Sequence, residues 1–344
     1  MHRLSSWPSW MARGRQPCSW PCWPPWRWVG YAWMRGGFRI APVLHDLGGA
    51  LERFSAEALW FYGALVLLEA ALELRGKTQF YRLWDTLCSI STGLAYTGVQ
   101  LLMRGVFFGA IFFASQFAPW SFETTPLTFV LCYLAVDFAF YWHHRVLHEV
   151  RLGWAAHVVH HSSTQYNLGA TALRQSVFEA LYEPWFYVPL ALLGFEPLAI
   201  MLALQINITY MFWPHTQHIG RLPWWFEAVF VTPSHHRVHH AKNLPYLDKN
   251  YGGTFILWDK LFGTFAEERE APEFGVLTPI RSANPVIVTF ASWGALLQDL
   301  RHTPGFGNKV QLLLRPPGWA PQGQGLTTRQ MQAAGVRTEG APLA

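Results

Sequence analysis

The chain has 344 residues, of which 51% are hydrophobic and only 14% charged, with a formal net charge of +5. So few charges in so apolar a chain argue against two soluble domains and favour one integral membrane domain. No stretch interleaves aromatic and basic residues as surfaces that follow nucleic acid do, so we expect no nucleic acid partner. The small positive excess suits adhesion to anionic lipid headgroups.

The N-terminal stretch is unusual. Residues 1–40 contain seven tryptophans and five prolines with no helical or strand period. They also lack the charged-then-apolar form of a secretory signal. We therefore expect residues 1–45 to be poorly ordered and to have no catalytic role. Cys18 and Cys22 have no second cysteine pair nearby, so we expect neither a cysteine metal site nor a disulfide framework.

Five apolar segments follow and predict membrane helices, at residues 57–72, 86–118, 126–142, 178–193 and 197–213. Several are shorter than the roughly 20 residues that cross a bilayer, which tilted helices or a hairpin bent from Gly194 to Pro197 would accommodate. Cys88 and Cys132 lie within apolar segments and are expected to be small core residues. The predicted fold class is all-α, an integral membrane helical bundle.

Basic residues give a partial topology. They occur in the segments 75–85 and 144–175, whereas the turns 119–125 and 194–197 carry none. The positive-inside rule places the two basic segments in the cytoplasm. The histidine-rich region would then form a cytoplasmic cap. Seven arginines in the first 56 residues break this pattern, so whether residues 57–72 cross the bilayer stays open.

Twelve of the fifteen histidines lie between His143 and His240, in the clusters HHRVLH, HVVHH, HTQH and HHRVHH. Residues three and four positions apart share a helix face and can reach one cation. Two HxxHH motifs have this spacing, His157/His160/His161 and His236/His239/His240. His143 and His235 are the first members of adjacent histidine pairs and are expected to point away from the i, i+4 face, so they are weaker ligand candidates. The repeat favours two adjacent ions, and neutral imidazole suits zinc, copper, iron and nickel.

One predicted helix face carries four polar residues at i, i+4, i+7 and i+11, namely Asp137, Tyr141, His144 and His148. An aspartate within an apolar run is costly unless it has a partner, and it is a functional candidate by default. We expect Asp137 to accept the outer N–H of a ligand imidazole. An unrelated helix-packing pair is the alternative.

Three further polar residues are candidates for the site. Glu149 follows His148 and could contact a cofactor or a proton path, with a solvated charge at a helix end as the alternative. In the segment 247–265, Asn250 could hold a metal-bound water and Asp259 could orient a ligand histidine. Neither role follows from spacing alone. The stretch from residue 303 is rich in Gly, Pro and Gln and is expected to be an extended tail.

The number of imidazoles limits the chemistry. A catalytic zinc site usually has three protein ligands, often with the glutamate of HExxH, which is absent here. Eight or nine imidazoles exceed what one zinc uses, and no Glu-x-x-His pattern of a carboxylate-bridged di-iron bundle is suitably placed. An all-histidine di-iron centre is the economical interpretation. A zinc-dependent membrane lipid hydrolase, a divalent-metal transporter and a bis-histidine haem protein are the alternatives.

The motifs HRVLHE, HVVHHSS, SHHRVHH, DKNYGG and WDKLFGTF resemble the fatty acid hydroxylase and sterol desaturase superfamily of membrane di-iron oxygenases. The resemblance covers roughly residues 57–270, and FWPHTQH is most similar to the alkylglycerol monooxygenase-like branch. It implies a membrane domain at about residues 50–300 that holds two Fe ions. The implied ligands are His144, His148, His157, His160, His161, His215, His236, His239 and His240, with His218 as a tenth candidate.

The resemblance also implies the reaction. O2 would be activated and a lipid C–H bond would be hydroxylated or desaturated, on a fatty acyl, a sterol or an alkylglycerol ether. In the ether case a hemiacetal collapses to an aldehyde and a glycerol. Electrons would come from an external donor, either tetrahydrobiopterin or a reductase with a cytochrome b5 or ferredoxin. The lipid would arrive from the bilayer between the hairpin 178–213 and the helix 126–142.

Overall fold

A computed structural model describes residues 40–76, 81–323 and 325–335. The tryptophan-rich stretch with Cys18 and Cys22 lies outside the described residues. The chain divides into two compact units, residues 1–45 and 46–344. Of the first unit, only residues 40–45, the beginning of a helix, are described.

Three long apolar helices form the membrane part: α1 (Ile40–Gly76), α2 (Leu83–Ser115) and α3 (Pro126–Glu149). By length and composition each is able to cross a bilayer, α1 through Gly49–Gly76. Helix α3 begins at Pro126 after a capping box in which Thr125 accepts from the Thr128 backbone N–H. The described residues form helices and no named strands, which confirms the predicted all-α membrane bundle.

The predicted hairpin is confirmed. It follows α4 (Arg151–His161) and consists of α5 (Glu179–Tyr182), a 3₁₀ segment (Glu183–Tyr187), α6 (Val188–Leu192) and α7 (Pro197–Tyr210). The chain reverses at Gly194, where φ is +94° and a Cβ would lie 2.6 Å from the Trp120 carbonyl oxygen, so only glycine fits. Gly194 also accepts the Phe122 N–H at 2.8 Å. The two turns that lack basic residues therefore lie together, at the end of α3 opposite its histidines.

The main hydrophobic core lies between α2, α3, α6 and α7. It includes Ile111, Cys132, Val136 and Ile200, all almost fully buried. Cys88 packs in a second cluster with Val159 and Val288. Cys88 and Cys132 are buried free thiols, which confirms their assignment as core residues. This packing fixes the position of α3, and the last two turns of that helix lie beyond the main hydrophobic core.

The cap contains α4 (Arg151–His161), α8 (Trp224–Glu227), α9 (Pro233–His240), α10 (Leu257–Phe262) and α11 (Pro285–His302). A single extended residue, Val150, separates α3 from α4, so the chain turns sharply there. A Cβ at Gly153 would lie 2.9 Å from both Leu147 Cα and the Val146 oxygen. Glycine therefore allows the first turn of α4 to pack closely on the end of α3.

Helix α1 is tied to the cap through Glu69, which is 3% exposed. Its carboxylate accepts the Tyr81 hydroxyl at 2.6 Å, the Leu168 N–H at 2.7 Å and the Thr216 hydroxyl. A buried carboxylate needs such donors to offset its desolvation. Glu69 thus joins α1 to the segment that carries His215.

The described part of the C-terminal stretch, residues 303–323 and 325–335, is not an extended tail, contrary to expectation. It forms α12 (Phe306–Leu314), a 3₁₀ turn (Pro321–Gly323) and α13 (Thr328–Ala334). Arg315 accepts the Arg151 N–H at 3.0 Å, and Gln332 donates to the Leu244 and Leu247 carbonyls. The overlooked signal is a capping box between Thr327 and Gln330.

Candidate metal centre

Nine buried histidines form two adjacent groups. The first contains His144, His148, His157, His161 and His239, and the second contains His160, His215, His236 and His240. Within each group, one ring nitrogen of every histidine lies within 4.8 Å of those of the others. The side chains come from α3, α4, the segment after α7, and α9. All nine are among the histidines that the sequence indicated.

Each HxxHH motif contributes to both groups. On α4, His157 and His161 belong to the first group and His160 to the second. On α9 the assignment is reversed, because His236 and His240 belong to the second group and His239 to the first. The i and i+4 positions of each helix therefore serve one group and the i+3 position serves the other. The spacing that marks these motifs in the sequence is the spacing that serves two neighbouring ions.

Backbone carbonyls fix the tautomer of several rings. The Nδ1 atoms donate to the Tyr251, Arg174, Phe212 and Lys249 oxygens, at 2.9 to 3.1 Å, from His144, His160, His215 and His239 respectively. A carbonyl oxygen only accepts, so Nδ1 carries the proton in each ring. In a neutral imidazole the other nitrogen, Nε2, then carries no proton and has a free lone pair.

These lone pairs converge. The Nε2 atoms of His160 and His215 are 3.3 Å apart, although both rings carry their proton on Nδ1. Two acceptors cannot form a hydrogen bond, so the contact is unfavourable until a cation lies between them. Two nitrogens about 2.1 Å from one ion, at right angles, are about 3 Å apart. The His148 and His239 Nε2 atoms are also buried without a hydrogen-bond partner in the described part of the chain. The residues fit a pair of metal ions.

Burial keeps the imidazoles in the form that binds metal. It lowers the pKa of His157 to about 3, of His160 to about 4 and of His239 to about 3, because a charged ring would lose its hydration. The rings are thus neutral at physiological pH, as metal ligands must be. Neither group includes a carboxylate. Nitrogen donors alone favour iron, zinc, copper or nickel over magnesium or calcium.

Glu179 is a functional candidate that the sequence did not single out. Its Oε2 accepts the Nδ1 proton of His157 at 3.1 Å, and both side chains are buried. A carboxylate behind a ligand imidazole orients the ring and increases its basicity. The available signal was an acidic residue at the start of the apolar segment 178–193.

The expected partner of Asp137 is wrong. Its carboxylate accepts the Asn207 amide and the Thr254 N–H, each at 2.5 Å, and the Trp258 indole N–H at 2.7 Å. Asp137 therefore fixes the loop before α10 to the membrane helix α3. The ring N–H groups of the ligand histidines donate mainly to backbone oxygens, which no sequence pattern can reveal.

Tyr141 and Glu149 contact a basic residue of α3 instead of the histidine groups. The Tyr141 hydroxyl lies 3.0 Å from Thr264 Oγ1 and accepts from Arg145 Nη1 at 3.1 Å. Glu149 pairs with Arg145 at 3.0 Å and lies 3.5 Å from Arg329. Tyr141 is fully buried and Glu149 is partly exposed, and both hold Arg145 of α3 in place.

Asn250 and Asp259 hold the loop that follows α9. The Asn250 amide donates to the His235 and Ala266 oxygens at 3.0 and 2.8 Å, and its oxygen accepts the Ala266 N–H. Its side chain is thus committed to the backbone and not to a metal-bound water. Asp259 accepts the Tyr251 N–H at 2.8 Å. It therefore orients His144 indirectly, through the backbone of Tyr251.

The remaining histidines of the clusters lie outside both groups. His218 Nε2 is 4.0 Å from Glu73 Oε2, at the side of the centre next to α1. The His143 ring packs on Phe186, with ring centres 4.8 Å apart, and the His235 ring lies near Phe265. A ligand role for His218 stays a prediction.

Two cavities reach the centre from different sides. A mostly apolar cavity of about 790 Å³ ends at His144, His157, His160, His215 and His236. A second, of about 660 Å³, ends at His148, His161, His239 and His240. The walls of the first come mainly from α1 and α2, and α3 and α7 complete them. The hairpin and α3, between which the sequence predicts lipid access, line this cavity together with α1 and α2, and the access route stays a prediction. The residues of α1 and α2 have no cluster motif to reveal their role.

Comparison with known proteins defines the class. Residues 129–264 match the family model described as fatty acid hydroxylase, and this range contains all nine histidines. The chain carries a fatty acid hydroxylase domain, and the resemblance drawn from its motifs is confirmed.

Individual relatives match longer stretches of the chain than the family model does. Human alkylglycerol monooxygenase is 42% identical over 270 residues, covering 76% of this chain, and its Xenopus tropicalis counterpart is 37% identical over 273 residues, covering 77%. The chain spans 59% of the length of each of these two relatives. The ornithine lipid hydroxylase of Rhizobium tropici is 30% identical over 161 residues, 45% of this chain and 46% of that protein. No solved structure matches the chain.

Proposed function

We propose that the chain is a membrane monooxygenase that holds two iron ions in its nine-histidine centre and uses O2 to hydroxylate a lipid ether of the alkylglycerol type. The observation that carries the proposal is the convergence of buried Nε2 lone pairs into two neighbouring groups. An apolar cavity ends at this centre, as a lipid substrate requires. The similarity to alkylglycerol monooxygenases favours an ether as the substrate.

Iron suits the donor set and the reaction. Imidazole nitrogen binds both iron and zinc, but only iron supplies O2 activation when it is bound. In a monooxygenation one oxygen atom enters the C–H bond and the other leaves as water, with two electrons and two protons from an external donor. Tetrahydrobiopterin and a reductase with a cytochrome b5 or ferredoxin both stay open as that donor.

The residues of the chain position the reactants. The carbonyls behind His144, His160, His215 and His239 hold these rings in one orientation. The apolar walls of α1 and α2 bind the alkyl chain and exclude water, with the reacting carbon toward His157 and His160. Hydroxylation of the carbon beside the ether oxygen gives a hemiacetal, which collapses to a fatty aldehyde and a glycerol.

Turnover by the purified protein tests this proposal. The protein would be loaded with ferrous iron without air and supplied with an O-alkylglycerol, O2 and each type of electron donor. We expect one fatty aldehyde for each O2 consumed. Turnover without O2, by a zinc-loaded protein that releases a hydrolysis product, would instead establish the zinc-dependent lipid hydrolase.

A further inference from the structure

One wall of the apolar cavity carries three connected polar side chains. The Gln100 amide donates to the Tyr96 hydroxyl at 2.6 Å, and that hydroxyl donates to Glu183 Oε2 at 2.8 Å. Gln100 and Tyr96 lie one turn apart on α2, and Glu183 begins the 3₁₀ segment of the hairpin. All three line the cavity of about 790 Å³.

Some donors and acceptors of these three side chains have no hydrogen-bond partner in the described part of the chain. Gln100 uses one of its two N–H donors, and its carbonyl oxygen has no partner in the described part of the chain. Glu183 Oε1 likewise has no partner there. Unpaired polar groups are costly in the apolar interior of a membrane protein, so a ligand that pairs with them would gain affinity.

The polar wall is close to the metal centre. Glu183 comes four residues after Glu179, whose carboxylate accepts the Nδ1 proton of His157. Positions four apart on a helical turn have Cβ atoms roughly 6 Å apart. Tyr96, Glu183 and His157 also line one cavity, so a ligand that contacts Glu183 or Tyr96 shares that cavity with a metal-binding histidine. In a glycerol ether, the hydroxyl groups are only a few bonds from the carbon beside the ether oxygen.

We propose that Gln100, Tyr96 and Glu183 form a subsite for the hydroxyl groups of the lipid headgroup, so that the cavity selects an ether of a polyol over an ether with hydrocarbon on both sides. The inference rests on the proposed reaction at the ether carbon. A substrate hydroxyl donates to the Gln100 carbonyl or to Glu183 Oε1 and accepts the second Gln100 N–H. A site built to bond a hydroxyl discriminates strongly against the analogue that lacks it.

Equilibrium binding tests the subsite without any turnover. A radiolabelled O-alkylglycerol would be displaced from the purified, iron-loaded protein either by itself or by the propyl ether of the same alkyl chain, which lacks both hydroxyls. We expect the glycerol ether to bind at least about tenfold more tightly. Gln100→Leu should remove most of this difference and leave the affinity for the propyl ether and the iron content unchanged. Thr97→Val is the matched control, because the Thr97 hydroxyl bonds to the Gly93 carbonyl of its own helix.

Equal affinity of the unchanged protein for the two ethers, or an unchanged preference in Gln100→Leu, would overturn the subsite. If Gln100→Leu does not fold, Tyr96→Phe breaks the same chain and should weaken binding of the glycerol ether alone. In turnover, either variant should raise the KM for the glycerol ether with little change in kcat. A protein that oxidises ethers without this preference disproves only the subsite, whereas one that oxidises no ether disproves the proposed function.

Discussion

Four of the nine histidines donate their Nδ1 proton to a backbone carbonyl, and this determines what their other nitrogens can do. With Nδ1 protonated, each Nε2 offers a lone pair to the centre. The sequence predicted eight of the ligands from their spacing, because helix geometry brings i, i+3 and i+4 together, and His215 only from the family resemblance. It could not show which carbonyl orients which ring, since every residue has a carbonyl.

A ligand substitution is the first test at this scale. His239→Ala removes one of the five nitrogens of the first group, so turnover should be abolished and the amount of bound iron should fall. His302→Ala is the control, because the His302 ring is exposed at the end of α11 and bonds to the Gln298 carbonyl of the same helix. Metal analysis and an activity assay check both variants. Full iron content in His239→Ala would contradict the assignment of this group.

Glu179 gives the second test. Glu179→Ala leaves the Nδ1 proton of His157 without its acceptor, so we expect metal affinity to fall by roughly 10- to 100-fold. Glu179→Gln keeps an acceptor oxygen and should lose less. Competition with a chelator measures the affinity, and Glu273→Ala, an exposed residue near Lys242, provides the control. An unchanged affinity in Glu179→Ala would show that the carboxylate does not support the ligand.

At the scale of elements, the sharp turn between α3 and α4 and the loop before α10 bring the two groups together. The sequence predicted the polar face of α3 correctly, and all four of its residues are buried on that helix. It assigned Asp137 the wrong partner because the Thr254 N–H is 117 residues away along the chain. Local periodicity contains no information about such a contact.

The loop before α10 should not tolerate a side chain at Gly253. A Cβ there would lie 2.7 Å from Asp137 Oδ1 and 2.9 Å from Asn207 Oδ1, in a site already fully packed. We expect Gly253→Ala to destabilise the fold by about 1–3 kcal/mol. Gly220→Ala has open space around the added methyl group and should be neutral. Thermal unfolding in detergent compares the two, and equal stability would mean that this loop is not held against α3 as described.

For the whole molecule, the centre lies at one end of the membrane helices, between an apolar and a more polar cavity. Composition and apolar segments were enough to predict the all-α membrane fold. They did not predict the folded C-terminal part or the cavity walls, because these depend on packing between distant segments. In α1 and α2 the cavity-lining residues look like any other apolar helix positions.

Orientation in the membrane is a further prediction at this scale. The positive-inside rule places the cap in the cytoplasm, and α13 packs on that cap through Gln332. A fluorescent protein that folds only in the cytoplasm, fused to the C-terminus and expressed in a bacterium, should therefore fluoresce. A fusion with an alkaline phosphatase, which is active only outside the cytoplasm, should be inactive. The opposite pair of results would reverse the topology.

Metal analysis of the purified protein, combined with an O2 requirement for turnover, tests the central claim most directly. Two neighbouring groups of buried imidazoles should bind roughly two iron ions per chain, and lipid oxidation should stop when O2 is removed. Restoring ferrous iron after chelation should restore the activity. One zinc per chain with turnover that continues without O2 would contradict the claim.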